Sequence, residues 1–127
     1  RMKDVVLVCL GGAFGSGLRH LVGVFGQQLG FKSFPWATVL VNVLGSLGIG
    51  LVYALAVEHL RLSESTRLLL SVGVMGGLTT YSTYALETLR MVEGGAPLRA
   101  VVYGAVTLVG SLAACTAGLK LGRVLAS

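Results

Sequence analysis

The sequence predicts an all-α membrane protein with four transmembrane helices, the third of which is broken. Of its 127 residues, 54% are hydrophobic and 12% are charged, and the mean hydropathy of +0.85 lies outside the usual range of soluble domains. Four windows carry no charged residue: 5–18, 33–57, 68–86 and 100–119. A span needs roughly 20 apolar residues. The predicted spans are therefore about 4–27, 35–60, 66–92 and 97–124 of one domain that covers residues 1–127.

The first span has a competing interpretation as a signal peptide. Arg1 and Lys3 precede an apolar run of the length of a signal h-region. We favour a span, because no polar segment follows that could form an exported soluble domain. The span is long enough only if it continues past Arg19 and His20. Both side chains are expected to reach the interface, unless Arg19 faces a vestibule, where its charge would attract anions.

The connections predict four antiparallel helices without room for a second domain. They are short, at residues 31–35, 61–65 and 93–97. Pro35 and Pro97 lie where helices begin, and Gly94 and Gly95 lie where the third helix ends. Glu87 near that end is expected to face water or to pair with Arg90.

The third span contains GGLTTYSTY at residues 76–84, which is a poor sequence for a helix in lipid. Its two glycines and adjacent threonines weaken a helix, and its four Ser and Thr hydroxyls compete for backbone hydrogen bonds. Such a break is tolerated in hydrocarbon only where protein or water satisfies the freed polar groups. The segment therefore indicates a functional site.

The second and fourth predicted spans each contain a stripe of polar residues at helical spacing. Thr38 and Asn42 belong to the first stripe, and Tyr103, Thr107 and Ser111 to the other. One interpretation is interhelical hydrogen bonding, worth about 0.6 kcal/mol each. The other is a lined pathway. Because the stripes contain donors but no acid, a pathway would suit an anion or a neutral solute.

Small residues recur at four-residue spacing in every predicted helix. Pairs such as Gly11 with Gly15 and Gly118 with Gly122 allow close helix contact. So many contact faces suggest a partner as well, and a homodimer is the simplest one. The flanking cations are only modestly biased to one side, which permits insertion in both orientations.

The remaining chemistry of the chain argues against nucleic-acid binding and catalysis. The net charge of +5 comes from cations that are scattered near span ends, as membrane flanks are. No pair of nucleophile and base, no metal-ligand cluster and no phosphate-binding loop is present, and GGLTT lacks the Lys of a P-loop. We expect neither an enzyme nor a nucleic-acid partner.

Taken together, Asn42 in VNVLGS, the run GGLTTYST, Glu87 and the fourth-span stripe resemble the Fluc (CrcB) family of bacterial fluoride channels. The resemblance covers all four spans. It implies a multi-pass protein of the bacterial plasma (inner) membrane that lets fluoride leave the cytoplasm passively and so limits its toxicity. It also implies an antiparallel, dual-topology homodimer in the lipid bilayer, with a structural Na⁺ ion at its centre that is not transported.

The resemblance also assigns site residues. Carbonyl oxygens at Gly76 and Thr79 would hold the sodium ion, which suits a hard cation and a broken helix. Fluoride would pass residues that match the family's pathway, namely Asn42, Thr38, Tyr103, Thr107 and Ser111, with Arg19 in the vestibule.

This chain departs from the family at two positions. Tyr81 and Tyr84 stand where the family has phenylalanines, whose positive ring edges can replace water around an anion. The added phenols leave three roles open: coordinating fluoride, holding water or narrowing the path.

Two other classes of function are alternatives. A small proton-coupled multidrug exporter also has four spans and is dimeric, but it needs a central membrane carboxylate, and Asp4 and Glu87 lie near span ends. A structural membrane subunit would explain the glycines but would leave the break without a purpose.

Overall fold

The computed structural model describes residues 1–127, and all of its regular structure is helical. Helix α1 is Met2–Gln28, and α2 is Trp36–Tyr53 with a wider π-helical continuation over Ala54–Glu58. Helix α3 runs without interruption through Glu64–Arg67, Leu68–Met75 and Gly76–Leu78, the middle piece being π-helical. Helix α4 is Ser82–Glu93, and α5 is Pro97–Ala126.

Three of the helices are long and apolar enough to cross a membrane: Met2–Gln28, Trp36–Glu58 and Pro97–Ala126. Their apolar side chains are directed outward, since only 11% of the most apolar window is buried in the first and the third of them. A soluble protein would bury such surface, whereas lipid accepts it. The remaining helical segments, α3 and α4, are each shorter than the roughly 20 residues that a span needs.

Glycines set the close packing of two helix pairs. A Cβ atom at Gly11 would lie 2.5 Å from the carbonyl oxygen of Leu69, so α1 meets α3 backbone to backbone. On the other side of the bundle, Gly118 of α5 lies against the backbone of Leu47 in α2. The four-residue glycine spacing is thus used within the chain, and it no longer requires a partner as its explanation.

Side chains join the ends of α2 and α5. Arg123 forms a two-pronged ion pair with Glu58, at 2.9 Å from Nε to Oε1 and 2.8 Å from Nη2 to Oε2. Arg61 donates from Nη2 to the carbonyl oxygen of Ala126 at 2.6 Å. The two arginines therefore fix the helix pair that carries most of the predicted pathway residues.

Between α3 and α4, residues 79–81 form a non-helical segment that we call the break. Thr79 is extended, with φ −80° and ψ 156°. The Thr79 methyl group occupies the space that a Cβ atom at Gly45 would need, so α2 approaches the break only because residue 45 is glycine.

Candidate functional site

Asn42 of α2 makes the hydrogen bonds to the backbone of the break that residues of a continuous helix would otherwise make. Its Oδ1 atom accepts the N–H of Thr80 at 2.8 Å, and its Nδ2 atom donates to the carbonyl oxygen of Thr80 at 3.0 Å. A continuous helix would satisfy both groups internally, and burying them unpaired would be costly. The amide keeps one further N–H, because only one of its two is used.

Arg19 of α1 contacts the break region from another helix. Its Nε atom donates to the carbonyl oxygen of Gly77 at 3.0 Å. The sequence suggested the membrane interface or a vestibule for this side chain, and the structure places it half-buried against α3.

Three carbonyl oxygens of this region accept no hydrogen bond, namely those of Gly76, Leu78 and Thr79. The N–H of Thr80, which would bond to Gly76 in a continuous helix, bonds to Asn42 instead. The N–H of Thr83 likewise bonds to the hydroxyl of Thr80 at 3.3 Å, and no donor reaches the carbonyl of Thr79. Free carbonyl oxygens suit a hard cation. No cluster of three or more His, Cys, Asp or Glu side chains offers another metal site.

A cavity of about 870 Å³, the large cavity, lies beside the break and between α2 and α5. None of the residues that line it is charged. Seven residues predicted from the sequence line it: Asn42, Gly76, Thr79, Tyr81, Tyr84, Thr107 and Ser111. Most of its polar groups are hydroxyls, which can present hydrogen-bond donors to a solute.

Thr107 is the one side chain with a buried polar atom that lacks a hydrogen-bond partner. Other helical threonines use the carbonyl four residues earlier, as Thr116 does with Leu112 at 2.8 Å. An unpaired buried hydroxyl lowers the free energy of unfolding by about 1–3 kcal/mol, so this group destabilises the fold. Thr107 also lines the large cavity.

An aromatic row borders the large cavity. Tyr81 and Tyr84 meet edge to face with ring centroids 5.6 Å apart, and Tyr84 lies 4.9 Å from Tyr103 in the same measure. Tyr103 is completely buried, and Phe34 packs on it edge to face at 5.4 Å. The Tyr84 hydroxyl lies over Gly104, where a Cβ atom would be 3.1 Å from it.

Glu87 lies elsewhere than expected. Its Oε1 atom accepts hydrogen bonds from the hydroxyls of Thr38 at 2.7 Å and Tyr103 at 2.8 Å. It forms no ion pair with Arg90. The predicted pair with Arg90 was wrong, because buried hydroxyls from α2 and α5 bind the carboxylate instead. Contact with water stays a prediction, since Glu87 is half-buried.

A second cavity of about 390 Å³, the small cavity, lies on the α1 side. Arg19, Thr38 and Glu87 line it, and Thr80 lines both cavities. The structure thus divides the predicted pathway residues between two cavities, with Tyr103 buried between its partners. Sequence reasoning missed Glu87, Thr80 and Gly104; the one available signal was that Glu87 follows Tyr84 by three residues, on the same helical face.

Fold and site together define a small helical integral membrane protein in which an interrupted helix borders an uncharged cavity that contains several hydroxyl groups. Residues 6–119 match the family described as "CrcB-like protein, Camphor Resistance (CrcB)". The chain belongs to this family.

Similar proteins extend over nearly the full chain and carry one name. The fluoride-specific ion channel FluC of Agrobacterium fabrum is 44% identical over 122 residues, which are 96% of this chain and 98% of the relative. The proteins of the same name from Chelativorans sp. and Chloroflexus aurantiacus are 42% and 38% identical, each over 96% of this chain and over 98% and 97% of the relative. Because these relatives are named as ion channels, the chain is a member of a family of channels and not of enzymes.

Proposed function

We propose that this protein is a fluoride-selective channel that lets fluoride leave the bacterial cytoplasm passively across the inner membrane and so limits its toxicity. The observation that carries the proposal is the large cavity, which has an uncharged, hydroxyl-rich lining and a buried Thr107 hydroxyl without a partner. The hydroxyls and the spare amide N–H can donate to an anion, and no acid in the lining would repel it. The names of the relatives support fluoride as the anion.

In the proposed pathway the cavity residues replace water around fluoride. The free N–H of Asn42 and the hydroxyls of Thr107 and Ser111 donate to the anion, and the rings and phenols of Tyr81 and Tyr84 border it. Thr38 and Tyr103 belong to the same proposed route, where they border it while donating their hydroxyl hydrogens to Glu87. The charge of Arg19 beside the small cavity attracts anions to the entrance.

A sodium ion has a structural role in this proposal and is not transported. The carbonyl oxygens of Gly76 and Thr79 fit a hard cation, because neither accepts a hydrogen bond. Gly76 and Thr79 of one chain supply two oxygens, so a second copy would complete the coordination. This supports an antiparallel homodimer, in which the carbonyl oxygens of Gly76 and Thr79 from both chains surround one ion.

The same proposal makes residues 66–92 the remaining membrane crossing, in which α3 and α4 together supply the length that neither has alone. Dual topology means that chains insert into the membrane in both orientations. Labelling of a single cysteine at position 127, from each side of sealed vesicles, measures this in a Cys9→Ser, Cys115→Ser background. Equal labelling from both sides is expected, and one-sided labelling would contradict dual topology.

Fluoride efflux from liposomes tests the main proposal. An electrode records fluoride release from vesicles that contain the purified protein, with chloride release and empty vesicles as controls. We expect fluoride to pass and chloride to be retained. Equal permeation of both anions, or fluoride release no faster than from empty vesicles, contradicts the proposal.

The same liposomes distinguish the alternatives. A proton-coupled exporter would respond to an imposed pH gradient with uptake of a cationic dye, whereas the channel should not. A structural subunit would show no flux, and Asn42→Ala would change nothing. For the sodium ion, purification and flux in N-methyl-D-glucamine instead of sodium should lower both flux and dimer content; unchanged values would contradict the structural role.

A further inference from the structure

We propose that Arg19 and Asn42 are positioning residues that hold the break from two sides and so leave the carbonyl oxygens of Gly76 and Thr79 free for a cation. We call these two side chains the clamp. The inference rests on the proposed function for the cation, but the clamp itself stands on hydrogen bonds within this chain.

The α2 side of the clamp satisfies Thr80 completely. One amide of Asn42 accepts the Thr80 N–H and donates to the Thr80 carbonyl, which is the pairing that a neighbouring strand would offer. Gly45, three residues later, admits the methyl group of Thr79 into van der Waals contact. The extended conformation of Thr79 is therefore supported by α2 through both hydrogen bonding and shape.

The α1 side of the clamp depends on the glycine contacts of that helix. A Cβ atom at Gly77 would lie 2.5 Å from the carbonyl oxygen of Gly12, and Gly15 lies directly against the backbone of Val74. This close approach brings Arg19, one turn after Gly15, within reach of the Gly77 carbonyl. Arginine is charged at all relevant pH values, so its donor is permanent.

The clamp makes the carbonyl groups around the break differ in whether they accept a hydrogen bond. Those of Gly77 and Thr80 accept hydrogen bonds from Arg19 and Asn42, whereas those of Gly76, Leu78 and Thr79 accept none. A carbonyl oxygen that accepts such a hydrogen bond is a poorer ligand for a cation, because one of its two lone pairs is engaged, and at Gly77 the donor is itself positive. The oxygens of Gly77 and Thr80 are thereby disfavoured as ligands by side chains that do not themselves touch the ion.

The two halves of the clamp differ in their relation to the anion route. Asn42 lines the large cavity and has a spare N–H, so its replacement affects both the break and the anion. Arg19 lines only the small cavity. A change at Arg19 therefore disturbs the carbonyls without removing a donor from the large cavity.

Amide hydrogen exchange of residues 79–83 tests the clamp in the full chain, in detergent with sodium chloride. We compare Asn42→Ala with Ser46→Ala, a matched control that removes a polar group from the same cavity but has no contact with Thr80. Exchange of the Thr80 amide should rise about tenfold or more in Asn42→Ala and stay within about twofold of wild type in Ser46→Ala. An equal response of the two variants overturns the clamp.

A second variant keeps the test decisive if Asn42→Ala does not fold. Asn42→Asp retains an oxygen acceptor for the Thr80 N–H and replaces the donor to its carbonyl by a second carboxyl oxygen. The Thr80 amide should then exchange within about twofold of the wild-type rate. A tenfold rise would overturn the assignment of Oδ1 as its partner.

The cation role has its own readout, which is the sodium concentration that gives half-maximal protection of residues 79–83. Arg19→Met should raise that concentration about tenfold, whereas His20→Ala, beside the same cavity, should leave it unchanged. Equal values for both variants overturn Arg19 as a positioning residue. If wild-type exchange does not depend on sodium, the proposed cation site fails, while the comparison of Asn42→Ala with Ser46→Ala still decides the clamp.

Discussion

The hydroxyl of Tyr103 donates to the Oε1 atom of Glu87 at 2.8 Å, across the contact between α5 and α4. Thr38 of α2 donates to the same oxygen at 2.7 Å. One carboxylate oxygen thus joins three helices and satisfies two buried hydroxyls. The helix after the break is held to the bundle chiefly by this polar contact and by the neighbouring rings.

Replacing Glu87 tests the value of that acceptor. Glu87→Ala leaves two buried hydroxyls without a partner and should lower the free energy of unfolding by about 2–4 kcal/mol. Glu87→Gln keeps an oxygen acceptor and should cost about 1 kcal/mol or less. Unfolding by SDS titration in mixed micelles measures both values. Equal losses in the two variants would show that charge, and not hydrogen bonding, determines the contact.

Replacing Thr107 should separate stability from conduction. Thr107→Val preserves the shape of the side chain and removes a buried hydroxyl that has no partner. The free energy of unfolding should therefore rise by up to about 1 kcal/mol. Fluoride efflux from liposomes should fall about tenfold, because an anion donor is lost. Thr116→Val is the matched control, since that hydroxyl bonds to its own helix. A stable Thr107→Val protein with undiminished efflux would remove this hydroxyl from the pathway.

Gly104 and Tyr84 should be coupled. Gly104→Ala places a methyl group 3.1 Å from the Tyr84 hydroxyl oxygen and should displace the phenol into the large cavity, lowering fluoride efflux. In a Tyr84→Phe background the oxygen is gone, and the same change should have little further effect. A double-mutant cycle on efflux rates should give a coupling of about 0.5 kcal/mol or more. Additive effects would mean that the contact has no bearing on conduction.

Two glycines with different surroundings test the packing. Gly118→Ala forces a methyl group against the backbone of Leu47, which cannot move aside, and should cost about 2 kcal/mol or more. Gly17→Ala meets no atom within 4 Å and should leave stability unchanged or raise it by up to about 1 kcal/mol. The SDS titration described above compares them. A loss at Gly17 as large as that at Gly118 would contradict helix contact as the cause.

Several features of the site were accessible from the sequence because they depend on local composition. GGLTTYSTY predicts a weak helix wherever it lies, since glycine, paired threonines and competing hydroxyls act on their own backbone. The spacing of Asn42, Thr107 and Ser111 likewise follows from the period of a helix, and all three line the large cavity. Membrane character follows from composition alone.

Other features depend on which helices meet, and composition does not contain that information. Glu87 was expected at water or at Arg90, because its own helix offers no better partner; the two hydroxyls that bind it come from α2 and α5. Arg19 reaches Gly77 only because glycines bring α1 against α3.

By itself, then, the sequence determined that the chain is a helical membrane protein with a weak helical segment at residues 76–84 and with polar stripes on two helices, because these properties arise from each segment alone. The structure decided that the helix ends at Leu78 and begins again at Ser82. Only the tertiary structure decided which oxygens of the break region stay free, since Asn42 and Arg19 reach it from separate helices. Hydrogen bonds between distant segments require the packed backbone to bring donor and acceptor within about 3 Å.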